Sequence, residues 1–406
     1  MTGLSKAQST FLMFTILVVS LNLRPAIAAI GPLTNLIIDS TGLGSTGIGV
    51  LTMLPVLLMG FGAMSVRSLR KIMGEKFGIA CGAILIAISC AGRIWFDTSA
   101  GLLMTAAGVG MGISIVQALA PGFIKRNFAQ NTGRAIGLFS TGIVSGAALA
   151  AASAAGLADW LGWEAALAFW AIPALFAVAI WPVASRPAAS EEKTGSAAFT
   201  TPAPAFWRSP RSWSLLVFFG IGTGAFMLVM AWLPPFYVEQ GKSPQTAGYL
   251  LAGLTFVEAL AALGLAAFIH YFPDRRGPLV TCLVLVLAGL ACLLVHPITL
   301  AIPAIFLLGA GIGILFPLSI IVAIDHVKDP TIAGDFTAFV QGGGYIIASF
   351  VPLIAGVLRD IFSDLSQAWM LMAISIVGLI ALALRYSPTS YLTFQRNLVA
   401  QSALGS

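Results

Sequence analysis

The sequence runs to 406 residues, of which 58% are hydrophobic and only 9% charged, with a net charge of +6. A water-soluble domain carries about a quarter charged residues and could not hide this much apolar surface, so a soluble fold is excluded. The positive balance does not point to nucleic acid, because the Lys and Arg residues fall in short breaks between apolar runs and not on a soluble module.

A membrane span needs roughly 20 mainly apolar residues, and twelve such runs follow one another here. The first six are expected at 9–30, 45–65, 77–95, 99–121, 134–156 and 164–184. The first run lacks a small-residue cleavage site and is expected to stay as a span, not to act as a removable signal. After them comes the longest gap, from Ser185 to Arg211, rich in Pro, Ala, Ser and Thr and holding Pro187, Glu191, Glu192, Lys193, Pro202 and Pro204. That composition reads as a flexible linker. The second six are expected at 212–237, 245–269, 278–296, 299–323, 333–357 and 367–385. The predicted organisation is therefore an all-α membrane protein with a six-helix half at 1–184, a linker at 185–211, a second six-helix half at 212–385 and a tail at 386–406. The four cysteines (Cys81, Cys90, Cys282 and Cys292) all lie in apolar runs and read as small packing groups.

Orientation follows from charge. Seventeen of the twenty-one basic residues fall on one side, including Lys6, the Arg67–Lys76 group, Lys125, Arg126, Arg134, Arg208, Arg211, Arg275, Arg276, Lys328, Arg385 and Arg396. Arg93, Lys242 and Arg359 fall on the other side, and Arg24 within the first span. Positive residues accumulate on the cytoplasmic face, so both termini and the linker are expected in the cytoplasm of a bacterium, with the chain in its inner membrane.

An offset of 201 residues sets Gly108, Gly110 and Gly112 on Gly309, Gly311 and Gly313, and also pairs Gly47 with Gly248, Gly133 with Gly334, Gly142 with Gly343 and Cys81 with Cys282. These pairs join spans 2 and 8, 4 and 10, and 5 and 11, as two parallel repeats would. Gly142 and Gly146 are four apart and suit a close helix contact; the Gly342–Gly344 run offers the same or a bend.

Charged residues inside a bilayer are costly and usually functional. Two are found. Arg24 precedes Pro25, which cannot donate a backbone hydrogen bond and loosens the helix there. Its guanidinium could snorkel to the headgroups, or hold a planar anion such as a carboxylate in a bidentate grip. Glu258 sits mid-way along span 8 with no basic residue near it in sequence, and is a candidate to carry a coupling proton or meet a donor on the substrate. Candidate neutral partners for the substrate are Asn22, Gln117, Gln341 and Tyr345, the last two on one helix face; each could equally bind helices together. Trp160, Trp163, Trp232 and Tyr237 lie near span ends and are expected at the membrane interface, and His270 is expected in solvent. No Gly-rich loop followed by Lys-Ser/Thr, no His/Cys cluster and no convergent acid–base pair is found, so neither an enzyme, nor ATP-driven transport, nor a metal or other cofactor is expected.

Several stretches resemble the cyanate/nitroimidazole permease family of the major facilitator superfamily. They are Asn22-Leu23-Arg24-Pro25-Ala26-Ile27 with Gly31-Pro32-Leu33, Leu51-Thr52-Met53-Leu54-Pro55-Val56, Pro121 to Phe128, Trp232-Leu233-Pro234-Pro235, and Phe339 to Tyr345. The resemblance runs through nearly the whole chain and implies the major facilitator fold, alternating access, and small anions or nitroimidazole-like compounds as substrates. The chain departs from the family's pattern at Gly222 and Met227, where a Gln and an aromatic are usual, at Glu258, Phe139 and Lys71. The pocket has thus lost polar groups on span 7 and gained an acid on span 8. The resulting expectation is a monomeric secondary transporter of a small organic anion or zwitterion, with Arg24 holding the anion and protons coupled through Glu258. Export of neutral nitroimidazole-like compounds and a non-transporting solute sensor are the alternatives.

Overall fold

The computed structural model describes residues 5–96, 98–128, 131–186, 206–327, 329–391 and 394–395. The interior of the expected linker (187–205, with Pro187, Glu191, Glu192, Lys193, Pro202 and Pro204), Lys328, Arg396 and most of the tail lie outside them.

Among the described residues every regular element is helical, and twelve helices are long and apolar enough to cross a membrane. The first apolar run forms three pieces: α1 (Lys6–Leu21), α2 (Pro25–Ala28) and α3 (Ile30–Thr41). Then come α4 (Ser45–Met64), α5 (Val66–Met73), α6 (Glu75–Gly92), α7 (Ser99–Asn127), α8 (Thr132–Leu161), α9 (Trp163–Ala168) and α10 (Ala171–Ser185). The second half comprises α11 (Pro210–Glu239), α12 (Pro244–Phe268), α13 (Arg276–Val295), α14 (Ala301–Asp325), α15 (Pro330–Phe362) and α16 (Ser366–Ala383). Each α-helix satisfies its own backbone groups, which is what permits a crossing of hydrocarbon.

The halves meet along two seams, α4 against α15 and α8 against α12, while α3 packs on α11. One end of the bundle carries Arg67, Arg126, Arg211 and Arg275 and is called the basic end below. Each half has an ion pair there in an equivalent place with the signs exchanged: Glu75 of α6 with Arg126 of α7 at 2.9 Å, and Arg275, just before α13, with Asp325 of α14 at 2.9 Å.

The glycines show how the repeat is packed. Gly110 of α7 presses on Pro55 of α4, and Gly309 of α14 presses on Leu254 and Val257 of α12. Gly112 meets Gly82 and Ile86 of α6, while Gly311 meets Cys282 and Val286 of α13. In this span the packing therefore equates Gly110 with Gly309 and Gly112 with Gly311, two residues away from the register of 201. Identical spacing within each glycine row lets a slipped alignment look equally good, and only the partner helices fix the match. The Gly342–Gly344 run lies in a continuous helix and brings α15 close to Gly60 and Met64 of α4 on one side and to Leu216, Phe219 and Gly220 of α11 on the other.

Three aromatic residues expected at the interface are buried in protein: Trp232 and Tyr237 are 0% exposed and Trp163 is 7% exposed, whereas Trp160 is 89% exposed. For Trp232 and Tyr237 the reason is the position of α11, which is surrounded by α3, α12, α14, α15 and α16, so both its faces meet protein. Trp232 donates its indole N–H to the Pro352 carbonyl at 2.9 Å. All four cysteines are free. His270 is exposed and stacks on Tyr271 at 3.9 Å between ring centres.

Candidate functional site

The site begins with the break in the first span. Pro25 has no N–H for the Leu21 carbonyl and disfavours helical dihedrals at the residue before it; Arg24 accordingly sits at φ −124° as the N-cap of α2. Gly146 of α8 accommodates the Leu21 carbonyl, and a Cβ there would overlap it. Gly142 does the same for Leu17 and Ser20. The Gly142–Gly146 pair thus seats α8 on the turn that presents Arg24.

Arg24 is 6% exposed, and its Nη1 lies 3.7 Å from the Met59 sulfur, with the guanidinium 6.0 Å from the Phe226 ring centre. A thioether is a weak acceptor, so the cation has no strong protein partner. Glu258 and Tyr345 are within electrostatic reach of it, yet Arg24 and Glu258 form no direct ion pair. Glu258 Oε2 makes no hydrogen bond. Gly313 lets α14 press on the Glu258 backbone, where a Cβ would overlap the carbonyl.

Both charges line one cavity of about 840 Å³, which extends from mid-bundle towards Val66, Ile324 and Gly334 at the basic end. Gln117, Gln341 and Tyr345 line it as well. Their polar groups are free of hydrogen bonds to protein, and Tyr345 is held by an edge-on contact with Phe219 at 5.4 Å. Five of the six residues expected from sequence are therefore brought together. Asn22 is not among the lining residues; its amide donates to the carbonyls of Val18 (2.8 Å) and Pro173 (3.2 Å), tying α1 to α10. Sequence reasoning did not find Met59 and Phe226, apolar lining residues that look like any other in an apolar run, nor Ser114, Thr223 and Thr255, which also line the cavity.

Arg93 lies at the end of its span away from the basic end, as expected, but it is 1% exposed at the C-terminus of α6 and donates from Nη1 to the Ala26 carbonyl at 3.0 Å, a burial the sequence did not signal. The break in the first span is thus held from behind by a second buried arginine.

At the end opposite the basic one the cavity is closed. Arg359 of α15 pairs with Glu239 of α11, with Nε donating at 2.7 Å, and stacks over Trp232 at 5.5 Å. The next residue, Asp360, accepts from the backbone N–H groups of Ser45 (2.9 Å) and Thr46 (2.8 Å) and from the Thr46 hydroxyl (2.7 Å). It caps α4, whose own N-cap, Gly44, offers no side chain.

Comparison with known proteins agrees with this geometry. The family described as Major Facilitator Superfamily matches residues 11–352 and 240–397. The Escherichia coli (strain K12) cyanate transport protein CynX is 36% identical over 386 residues, covering 94% of this chain and 98% of that protein. The 2-nitroimidazole transporter of the same organism is 27% identical, covering 93% and 95%. Among solved structures, a D-xylose–proton symporter superposes with a TM-score of 0.75 at 12% identity, covering 91% of this chain and 97% of its own. A bacterial homologue of the human lysosomal transporter Spinster, inward-facing and unoccupied, gives 0.73 at 17% identity with 98% and 99% covered. These two likenesses speak for the fold alone. With twelve spans, two six-helix halves and a central cavity between them, the chain belongs to the major facilitator superfamily, in the family of the cyanate and 2-nitroimidazole transporters, and is a membrane-embedded secondary transporter, not an enzyme.

Proposed function

We propose that the protein carries a small organic anion or zwitterion across the bacterial inner membrane by alternating access, with its basic end in the cytoplasm and with the monomer as the working unit. The observation that carries this reading is the unanswered guanidinium of Arg24 in the wall of the central cavity. A buried cation left without an acceptor is costly, and a ligand carboxylate or similar planar anion relieves that cost with two parallel N–H···O bonds. Glu258 stands across the cavity without an ion pair to Arg24, so a zwitterion can lie between the two, or a proton can ride on Glu258 while an anion rides on Arg24.

Binding to the folded state raises the melting temperature by mass action. A panel of small carboxylates, cyanate and amino acids is therefore expected to include at least one stabiliser of the wild type that leaves Arg24→Ala unmoved. Equal stabilisation of both proteins would remove the anion reading. Proton coupling is tested separately: Glu258→Gln should retain solute exchange in proteoliposomes and lose accumulation driven by a pH gradient. Unchanged pH-driven accumulation in Glu258→Gln would end that part of the proposal.

A second reading is export of a neutral heteroaromatic compound, favoured by Phe139, Phe226 and Phe316 in the cavity wall and by the 2-nitroimidazole relative. Stabilisation by nitroimidazoles alone, equal in wild type and Arg24→Ala, would support it.

A further inference from the structure

The two seams between the halves are built differently. α4 and α15 stay together from end to end: Gly49 meets the Pro352–Leu353 backbone, Gly60 meets Gly342 and Ile346, Gly342 meets Met64, and Arg67 pairs with Asp335 at the basic end. α8 and α12 are pressed together towards the opposite end, where a Cβ on Gly248 would overlap the Ala151 carbonyl and Gly156 faces Gln245. Towards the basic end this seam opens. A Cβ on Gly137 of α8 would meet nothing within 4 Å. Ile136 and Ser140 are exposed, and Ser140 and Ile143 on one side and Ala259 and Ala262 on the other line the cavity. The adjoining face of α12 carries Phe256, Leu260, Leu263 and Phe268, each more than half exposed, which marks it as a lipid-facing surface.

The content of the cavity agrees with an opening onto lipid. Its volume of about 840 Å³ lies near the top of the range of about 300–1,000 Å³ for drug-sized ligands. Among the described residues Arg24 and Glu258 are its only charged lining residues, and the space between them and the open seam is walled mainly by apolar side chains such as Met59, Val144, Phe226 and Phe316. An anion of a few atoms would leave most of that space without contacts. An anion with an apolar body fills it, each buried methylene raising affinity by up to about fourfold.

We propose that the α8–α12 seam is a lateral portal through which an organic carboxylate with an apolar body, dissolved in the membrane leaflet at the basic end, reaches Arg24. The substrate class rests on the reading of Arg24 as the anchor for an anion; the route does not.

The test uses the full chain in liposomes with dodecanoate carrying a mid-chain diazirine, and maps the photolabelled residues by mass spectrometry. Labelling is expected at the cavity-lining positions of α8 and α12 and should be displaced by unlabelled dodecanoate. Gly137→Trp, which places an indole in open space at the seam, should reduce cavity labelling several-fold. Gly378→Trp on α16, where a Cβ also meets nothing, should not. Cavity labelling in Gly137→Trp equal to wild type, with loss in Arg24→Ala, would overturn the portal and leave the anchor standing. Blocked labelling in Gly137→Trp with normal labelling in Arg24→Ala would keep the portal and remove the anchor. Labels confined to the outer face of α12 would overturn both the route and the substrate class.

Discussion

Arg24 and Arg93 are arginines of the same half, both almost fully enclosed, yet the protein answers them differently. Arg93 meets a backbone carbonyl that is always present, at 3.0 Å. Arg24 meets a thioether at 3.7 Å and an open cavity. The Ala26 carbonyl that receives Arg93 lies two residues beyond Arg24, so the two cations serve one break in the first span from opposite sides. Burial alone did not mark the functional one. What marks it is a strong donor whose acceptor is absent from the protein.

Substitution at Arg24 should give the largest effect on transport and the smallest on folding. Arg24→Lys keeps the charge but loses the fork, and transport rate at subsaturating substrate is expected to fall by about tenfold or more, as for loss of one to two charge-assisted hydrogen bonds. The melting temperature should stay close to wild type because no strong protein contact is broken. A large drop in stability would mean that Arg24 is structural after all.

His326 extends the comparison to a buried base that is fully answered. Just beyond α14, it places Nδ1 2.6 Å from the Val322 carbonyl and takes a hydrogen bond from Arg211 Nε at Nε2, 3.1 Å away. The Arg211 contact requires the neutral ring, since a protonated Nε2 could not accept it. Burial lowers its pKa to about 4; the Val322 carbonyl opposes the shift and the Arg211 charge adds to it. The unfolded chain binds this proton near the ordinary value of about 6.5. The neutral contact is thus fully present above that value and is lost as pH falls towards 4, a change of roughly 3 kcal/mol. Unfolding monitored from pH 7 to pH 4 should show that decline, and His326→Asn should flatten it. An unaltered slope in the variant would assign the decline to other groups.

Arg93→Met should act in the opposite sense to Arg24→Lys. It leaves the Ala26 carbonyl without its donor, at a cost of about 1–3 kcal/mol, while the substrate affinity of the protein that remains folded should hold. Binding measured on folded Arg93→Met would break the comparison if affinity fell as far as in Arg24→Lys.

The spans were legible in the sequence because hydrocarbon thickness imposes a length on every apolar run. The break before Pro25 was legible because proline acts locally. Gln117, Glu258, Gln341 and Tyr345 could be named because a polar group in an apolar run stands out. The surroundings of Asn22, Arg93, Trp232 and Tyr237 were not legible for a shared reason: they are made by residues distant in the chain. Pro173 and Ala26 supply carbonyls to Asn22 and Arg93, and Pro352 of α15 supplies one to Trp232. The register of the glycine repeat failed similarly, since spacing along one helix does not say which neighbour each glycine meets.

The carboxylate of Asp360 caps α4 from the other half of the molecule. A first half made without the second would begin that helix with two amide groups that have lost their acceptor, behind a glycine that has no side chain to replace it. Such a fragment is incomplete at a defined spot, and two separately expressed halves have there a local reason to recombine.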